Sequence, residues 1–179
     1  MIPGWLHSGE GEALARHAAT CPTPWVEIGS YCGLSASHLA QALPADGLLF
    51  CVDPHQGNPE MAEGGECHHP EVWARENGSL SVLLDTLAPY PNVVPVVGAG
   101  EQFAATGIRP GFVFIDAFHE YEGARQDFGT WGALLADGGL IALHDSDVHT
   151  WGPGIVVVEA MREGWTLVDR VRSLAVLAR

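Results

Sequence analysis

An alternation constrains this chain more than any other feature. Short, almost unbroken apolar runs recur along it, and segments with helical spacing lie between them. Trp25–Gly29, Leu48–Asp53, Asn92–Val97, Gly111–Asp116 and Leu140–Asp145 read as strands. Continuous apolar runs are what strands covered on both faces require. Ser35–Leu43 carries Ala36, Leu39, Ala40 and Leu43 at helical spacing and stops at Pro44. Val72–Leu87 and Pro153–Glu163 read as further helices. Tyr121, Ala124, Phe128, Trp131 and Leu135 mark one face of another, which Gly138-Gly139 ends. Repetition of strand and helix predicts a parallel sheet with helices on both sides. The last two runs, Trp165–Asp169 and Ser173–Leu177, depart from that rule. Three residues join them, too few for a parallel crossover, so the final strand is expected to run antiparallel.

The chain has 179 residues and a formal charge of −14, because 8 basic residues face 22 acidic ones. Its apolar fraction of 47% and charged fraction of 17% suit a packed domain rather than a disordered chain. No repeat and no linker rich in Pro, Gly or Ser divides residues 1–179, so one domain is expected. Scarce Lys and Arg argue against nucleic acid and against an anionic membrane as partners. No apolar run approaches the length of a membrane span. The N-terminus lacks the basic and apolar regions of a secretory signal, and the four cysteines form no C-x-x-C pair. A cytoplasmic protein with free thiols is the expectation. Oligomeric state stays open, a homo-oligomer included.

In open α/β sheets the ligand lies at the carboxyl ends of the strands. The first strand ends in Glu27-Ile-Gly29-Ser30-Tyr-Cys-Gly33-Leu-Ser35, where two glycines permit a tight turn and close approach to the backbone. Such a turn also occurs with no ligand. Asp53 ends the second strand, where an acidic residue accepts hydrogen bonds from ribose hydroxyls or serves the turn before Pro54. A dinucleotide fingerprint needs glycine at the position of Tyr31, and a phosphate loop needs a Gly-Lys-Ser/Thr end; neither is present. An adenosine cofactor without phosphate, S-adenosylmethionine (SAM), fits better.

Val26–Ser35 resembles motif I of the class I SAM-dependent methyltransferases. Phe112-Val-Phe-Ile-Asp116-Ala-Phe-His119-Glu-Tyr121, followed by Leu135-Ala-Asp-Gly-Gly139-Leu-Ile-Ala-Leu-His144-Asp145, resembles a bacterial group of small O-methyltransferases related to the macrocin and catechol types. Gly4-Trp5-Leu6 and Glu10-Gly-Glu-Ala-Leu are similar to that group's lead-in. The resemblance implies a Rossmann-like three-layer α/β sandwich, with a seven-stranded, mostly parallel sheet whose last strand is antiparallel. It implies SAM-dependent methyl transfer to a hydroxyl of a small molecule. N-methylation, or a non-catalytic SAM-binding domain, are the alternatives. It places Gly29, Ser30, Gly33, Ser35 and their backbone near the methionine part of SAM, with Glu27 fixing the turn or the amino group. Asp53 falls at the ribose and Gly98-Ala-Gly-Glu101 beside the adenine, and Asp116 belongs to the same cofactor set.

Methyl transfer to a hydroxyl needs positioning and removal of a proton. His119, just past the fourth strand, is the candidate base, since histidine is the side chain that titrates near neutral pH. Capping of the next helix is its other reading. Asp145 joins it as a candidate catalytic residue. Asp116 and Asp145 end adjacent strands and suit Mg²⁺ as oxygen ligands. Some relatives carry an acidic pair after the fifth strand; here the first of that pair is His144. With Asp147, His149 and His119, His144 suits a zinc-like ion instead, and a site without metal is the third reading. The segment from His55 to Trp73 is long, rich in Gly and Glu, and aperiodic, which makes it a candidate lid. Its Cys67-His68-His69 reads as metal ligands, ordinary loop or part of that lid. Trp5, Trp73 and Trp151 are candidates to wall an acceptor pocket, and Trp131 for the core.

Overall fold

The computed structural model describes residues 1–57, 65 and 67–179. Seven strands form one sheet: β1 (Trp25–Ile28), β2 (Leu49–Asp53), β3 (Val93–Val97), β4 (Phe112–Ile115), β5 (Leu140–Leu143), β6 (Thr166–Val171) and β7 (Leu174–Ala178). Their order is β3-β2-β1-β4-β5-β7-β6. The first five are parallel, and β7 pairs antiparallel with both β5 and β6. The expected antiparallel last strand is therefore present, inserted between β5 and β6.

Side chains alternate across a strand, so each strand feeds two cores. Trp25, Leu49, Cys51, Phe112, Phe114 and Val176 pack under α1 (Glu10–Ala18), α2 (Leu34–Ala42) and α4 (Ser79–Leu87), following α3 (Pro70–Trp73). Val26, Ile28, Val113, Ile115, Ile141 and Leu177 pack on the other face, under α5 (Gly100–Ala104), α6 (Tyr121–Leu134) and α7 (Gly152–Arg162). Trp131 lies wholly inside this second core, as its helix stripe predicts. The result is a three-layer sandwich.

Three elements differ from the sequence reading. The helix expected over Val72–Leu87 is two helices, α3 and α4, because Asn77 and Gly78 are both left-handed, at φ 61° and 53°. Consecutive left-handed residues cannot continue a right-handed helix. The helix α1 was not read, because its inward face, Glu10, Gly11, Ala13, Leu14 and Ala18, includes a glutamate and a glycine and only one large apolar residue. The five-residue α5 is too short to show a period. No helix among the described residues is long and apolar enough to cross a membrane.

Candidate active site

Strand order reverses at β1, where β2 leads one way and β4 the other. The carboxyl ends of β1, β2, β4 and β5 meet there, and with them most of the residues expected to act.

The turn after β1 is shaped by backbone. Gly29 and Gly33 stand at φ 90° and 86°. A β-carbon on Gly29 would run into the carbonyl oxygen of Asp116, and one on Gly33 would lie 2.9 Å from Leu83 Cδ1. Glycine is thus required at Gly29 both by conformation and by the close approach of the β4 end. Between them Tyr31 is also left-handed, at φ 44°. Its amide donates to Asp53 Oδ2 at 2.8 Å, while the His55 amide donates to Oδ1 at 2.6 Å. Asp53 therefore serves the turn, and each oxygen keeps a lone pair for a further donor. Glu27 lies beneath this turn, wholly buried. Neither of its oxygens has a hydrogen-bond partner, nor does the Ser30 hydroxyl. Burial pushes the Glu27 carboxyl up to about 7, and the nearby Ser35 and Ser30 hydroxyls temper the shift.

Above the turn, Pro3-Gly4-Trp5-Leu6 closes a cavity of about 30 Å³ against Gly29, Ser30, Tyr31, Cys32, Ser35 and Asp116. That volume holds water, not a nucleoside. Trp5 lies 5.1 Å from both the Tyr31 and His69 rings, and Trp73 lies 6.4 Å from Tyr31. These aromatic rings roof the turn. Trp151 sits elsewhere, 5.4 Å from His119.

The ends of β4 and β5 are built from charged side chains instead. His119 Nε2 lies 3.2 Å from Asp145 Oδ2. Asp145 is left-handed at φ 51°, a conformation that Asp tolerates better than most residues. His144 is buried between carboxylates. Its Nδ1 lies 3.1 Å from Asp116 Oδ1 and 3.4 Å from Asp145 Oδ2. Its Nε2 lies 2.9 Å from Glu10 Oε2 and 3.2 Å from Ser173 Oγ. Burial works against a charge on His144, but Asp116 and the hydrogen bonds to three carboxylates raise it well above the imidazole range. Burial would raise Asp145 too, yet His144 and His119 hold it below the usual carboxylate range.

Glu10 is the residue the sequence reading passed over. It is wholly buried, and it accepts from the His7 amide and from the Ser173 amide and hydroxyl. Burial opposes its charge, but hydrogen bonds to His144 and Ser173 outweigh that and bring it down to about 2. Two glutamates in the lead-in and an isolated serine 163 residues away carry no local signal that they meet.

Other expected residues lie apart. Glu101 accepts from Gln126 Nε2 at 2.8 Å, on the face between α5 and α6. His149 lines a groove of about 530 Å³ between α7 and β6, with Val157, Met161 and Arg170. That groove is larger than the cavity over the β1 turn but has none of its glycines or orphaned polar atoms. Among the described residues a compact grouping of metal-type ligand atoms occurs at Asp116, His144 and Asp145, and not at Cys67–His69. His69 pairs with Glu71 at 3.1 Å. Eight of the nineteen residues of the candidate lid, 58–64 and 66, lie outside the described residues.

The comparisons with known proteins agree with this fold. Among solved structures the fold is similar to NovP, an O-methyltransferase, at 16% identity and a TM-score of 0.73, over 95% of this chain and 79% of that one. It is similar to CalS11, a calicheamicin methyltransferase, at 17% identity and 0.69, over 94% and 76%. It is also similar to TomG of Streptomyces achromogenes, an O-methyltransferase in complex with SAM, at 18% and 0.68, over 97% and 80%. The model of the methyltransferase domain matches residues 26–146, from the first residues of β1 to the cluster that closes β5, and the chain belongs to that family.

Proposed function

We propose that the protein transfers a methyl group from SAM to a hydroxyl of a small molecule. One observation carries the reading: Gly29 packs directly on the Asp116 carbonyl. A ligand seated on the β1 turn therefore lies beside the His119–Asp145 pair. The orphaned Glu27 and Ser30 oxygens and the β-carbon-free turn fit the methionine part of SAM. The free lone pairs of Asp53 fit ribose hydroxyls. SAM supplies an electrophilic methyl on a sulfonium. The chain's work is to hold the acceptor in line and to take its proton. His119 is the proton acceptor, and Asp145, which faces its Nε2 at 3.2 Å, orients the ring. Trp151 packs against the His119 ring at 5.4 Å, tilted by 56°.

A divalent ion also fits this end of the sheet. Asp116 and Asp145 supply carboxylate oxygens and His144 a nitrogen. The chemistry such an ion supplies is stabilisation of negative charge on oxygen. The buried thiols of Cys21, Cys32 and Cys51 suit the reducing cytoplasm.

The test is product analysis with labelled SAM on panels of phenols, sugars and amines. Transfer to hydroxyls is expected. His119→Ala should then lower kcat about 10²–10⁴-fold. Transfer to amines alone, or unchanged kcat in that variant, would overturn the reading.

A further inference from the structure

The separations at the β4–β5 end are those of hydrogen-bonded ion pairs, and they fit a coordination sphere as well. Bonds of about 2.0–2.2 Å to a tetrahedral or octahedral ion leave neighbouring ligand atoms about 3.0–3.4 Å apart. Nδ1 of His144 stands 3.1 Å from Asp116 Oδ1 and 3.4 Å from Asp145 Oδ2. The opposite nitrogen, Nε2, faces Glu10 Oε2 at 2.9 Å. A histidine that binds a metal through one nitrogen commonly donates its other N–H to a carboxylate, which fixes tautomer and ring orientation.

Glu10 is unusually well placed for that task. It is wholly buried, and its own oxygens are fixed by the His7 amide and by the Ser173 amide and hydroxyl. Ser173 belongs to the turn between β6 and β7, so the N-terminal helix and the antiparallel hairpin together hold one imidazole. With a neutral ring, Glu10, Asp116 and Asp145 bring three negative charges to this site. A bound cation balances them in place of the Nδ1 proton.

The donor set decides which cation. Mg²⁺ prefers oxygen ligands and retains its waters, whereas imidazole nitrogen suits zinc, cobalt, nickel or ferrous ions. We propose that Asp116, His144 and Asp145, with Glu10 orienting His144, form a mixed nitrogen–oxygen site that takes a zinc- or cobalt-like ion in preference to Mg²⁺. Three protein ligands leave at least one position open, as in sites where the ion meets a substrate. The inference rests on the cation reading of this strand edge and is independent of methyl transfer.

The experiment is titration of the chelator-stripped full chain with Co²⁺ and with Mg²⁺, without SAM or acceptor. Binding is followed by visible absorption for cobalt and by calorimetry for both. The wild type should develop a cobalt band at one equivalent and bind Co²⁺ at least tenfold more tightly than Mg²⁺. Glu10→Gln should weaken Co²⁺ binding about 10–100-fold. His144→Asp should reverse the preference toward Mg²⁺, with thermal melting showing that it is folded. No cobalt band in the wild type, Mg²⁺ binding as tight as Co²⁺, or an unaltered preference in folded His144→Asp would each overturn the proposal. Failure to find methyl transfer would leave this result untouched.

Discussion

Glu10 and Glu27 are both wholly buried, yet the two ends of the site treat them in opposite ways. Glu10 sits in a network of His7, His144 and Ser173, and its carboxyl is held near 2. Glu27 lies beneath the β1 turn with no partner for either oxygen, and its carboxyl is pushed up to about 7. Burial alone raises a carboxyl; a cation and fixed donors reverse the shift. The difference separates two kinds of environment at the strand ends. At the β4–β5 end the carboxylates of Glu10, Asp116 and Asp145 surround His144 and hold it in place. The β1–β2 end is shaped by backbone and carries unused hydrogen-bonding capacity, as a site that awaits a polar ligand should.

Disrupting the backbone of the β1 turn should have the largest effect on folding. Gly29→Ala forces a left-handed side chain into the Asp116 carbonyl, so it should cost about 4 kcal/mol in denaturant unfolding. An unfolding midpoint equal to the wild type's would mean that the turn relaxes freely and that its shape is not fixed by Gly29.

The two glutamates predict opposite pH responses. Glu10 titrates lower in the folded chain than in the unfolded one. Its contribution, about 3 kcal/mol, is present above pH 4.5 and is lost as pH falls toward 2. Glu10→Gln should be less stable at pH 7 by about that amount, with a flatter acid limb. Glu27 titrates higher when folded, so its effect runs the other way. Stability is lost as pH rises from 4.5 through about 7. Glu27→Gln should therefore gain stability at pH 8, by up to about 3 kcal/mol, and should not gain at pH 4. Urea unfolding across pH 3–9 checks both. Parallel profiles for the two variants would abolish the contrast.

A smaller effect is expected at the roof. The cavity beneath Pro3–Leu6 is too small for a nucleoside, so a cofactor seated in that cavity would need the segment to move. Trp5→Ala removes contacts with Tyr31 and His69 worth about 1 kcal/mol. SAM should associate up to about fivefold faster in stopped-flow fluorescence. A slower association would make Trp5 part of the cofactor's own contact surface.

The same division explains what the sequence made legible. The strands, their parallel order and the antiparallel β7 follow from apolar runs and one short connection, which are local signals. Gly29, Gly33 and Asp53 were legible because backbone demands leave glycine and acidic residues at fixed places after strands. His119 and Asp145 were readable as strand-end residues. Glu10 was not, because its side-chain partners His144 and Ser173 lie 134 and 163 residues away. His144 was legible as a departure from the acidic pair that some relatives carry, but the carboxylate behind it was not. The break between α3 and α4 escaped notice because apolar spacing continues across it while Asn77 and Gly78 reverse the backbone.

The central claim is that the cofactor is held at the β1–β2 end and the proton is taken at the β4–β5 end. Calorimetric titration of SAM into wild type, Asp53→Ala and His119→Ala tests it most directly. The account predicts one site in the wild type and the same affinity, within about twofold, in His119→Ala. Asp53→Ala should bind at least about tenfold more weakly, since a hydrogen bond to a charged group contributes about 1.5–3 kcal/mol. Wild-type affinity in folded Asp53→Ala, or collapse of SAM binding in His119→Ala, would contradict the assignment of the two ends.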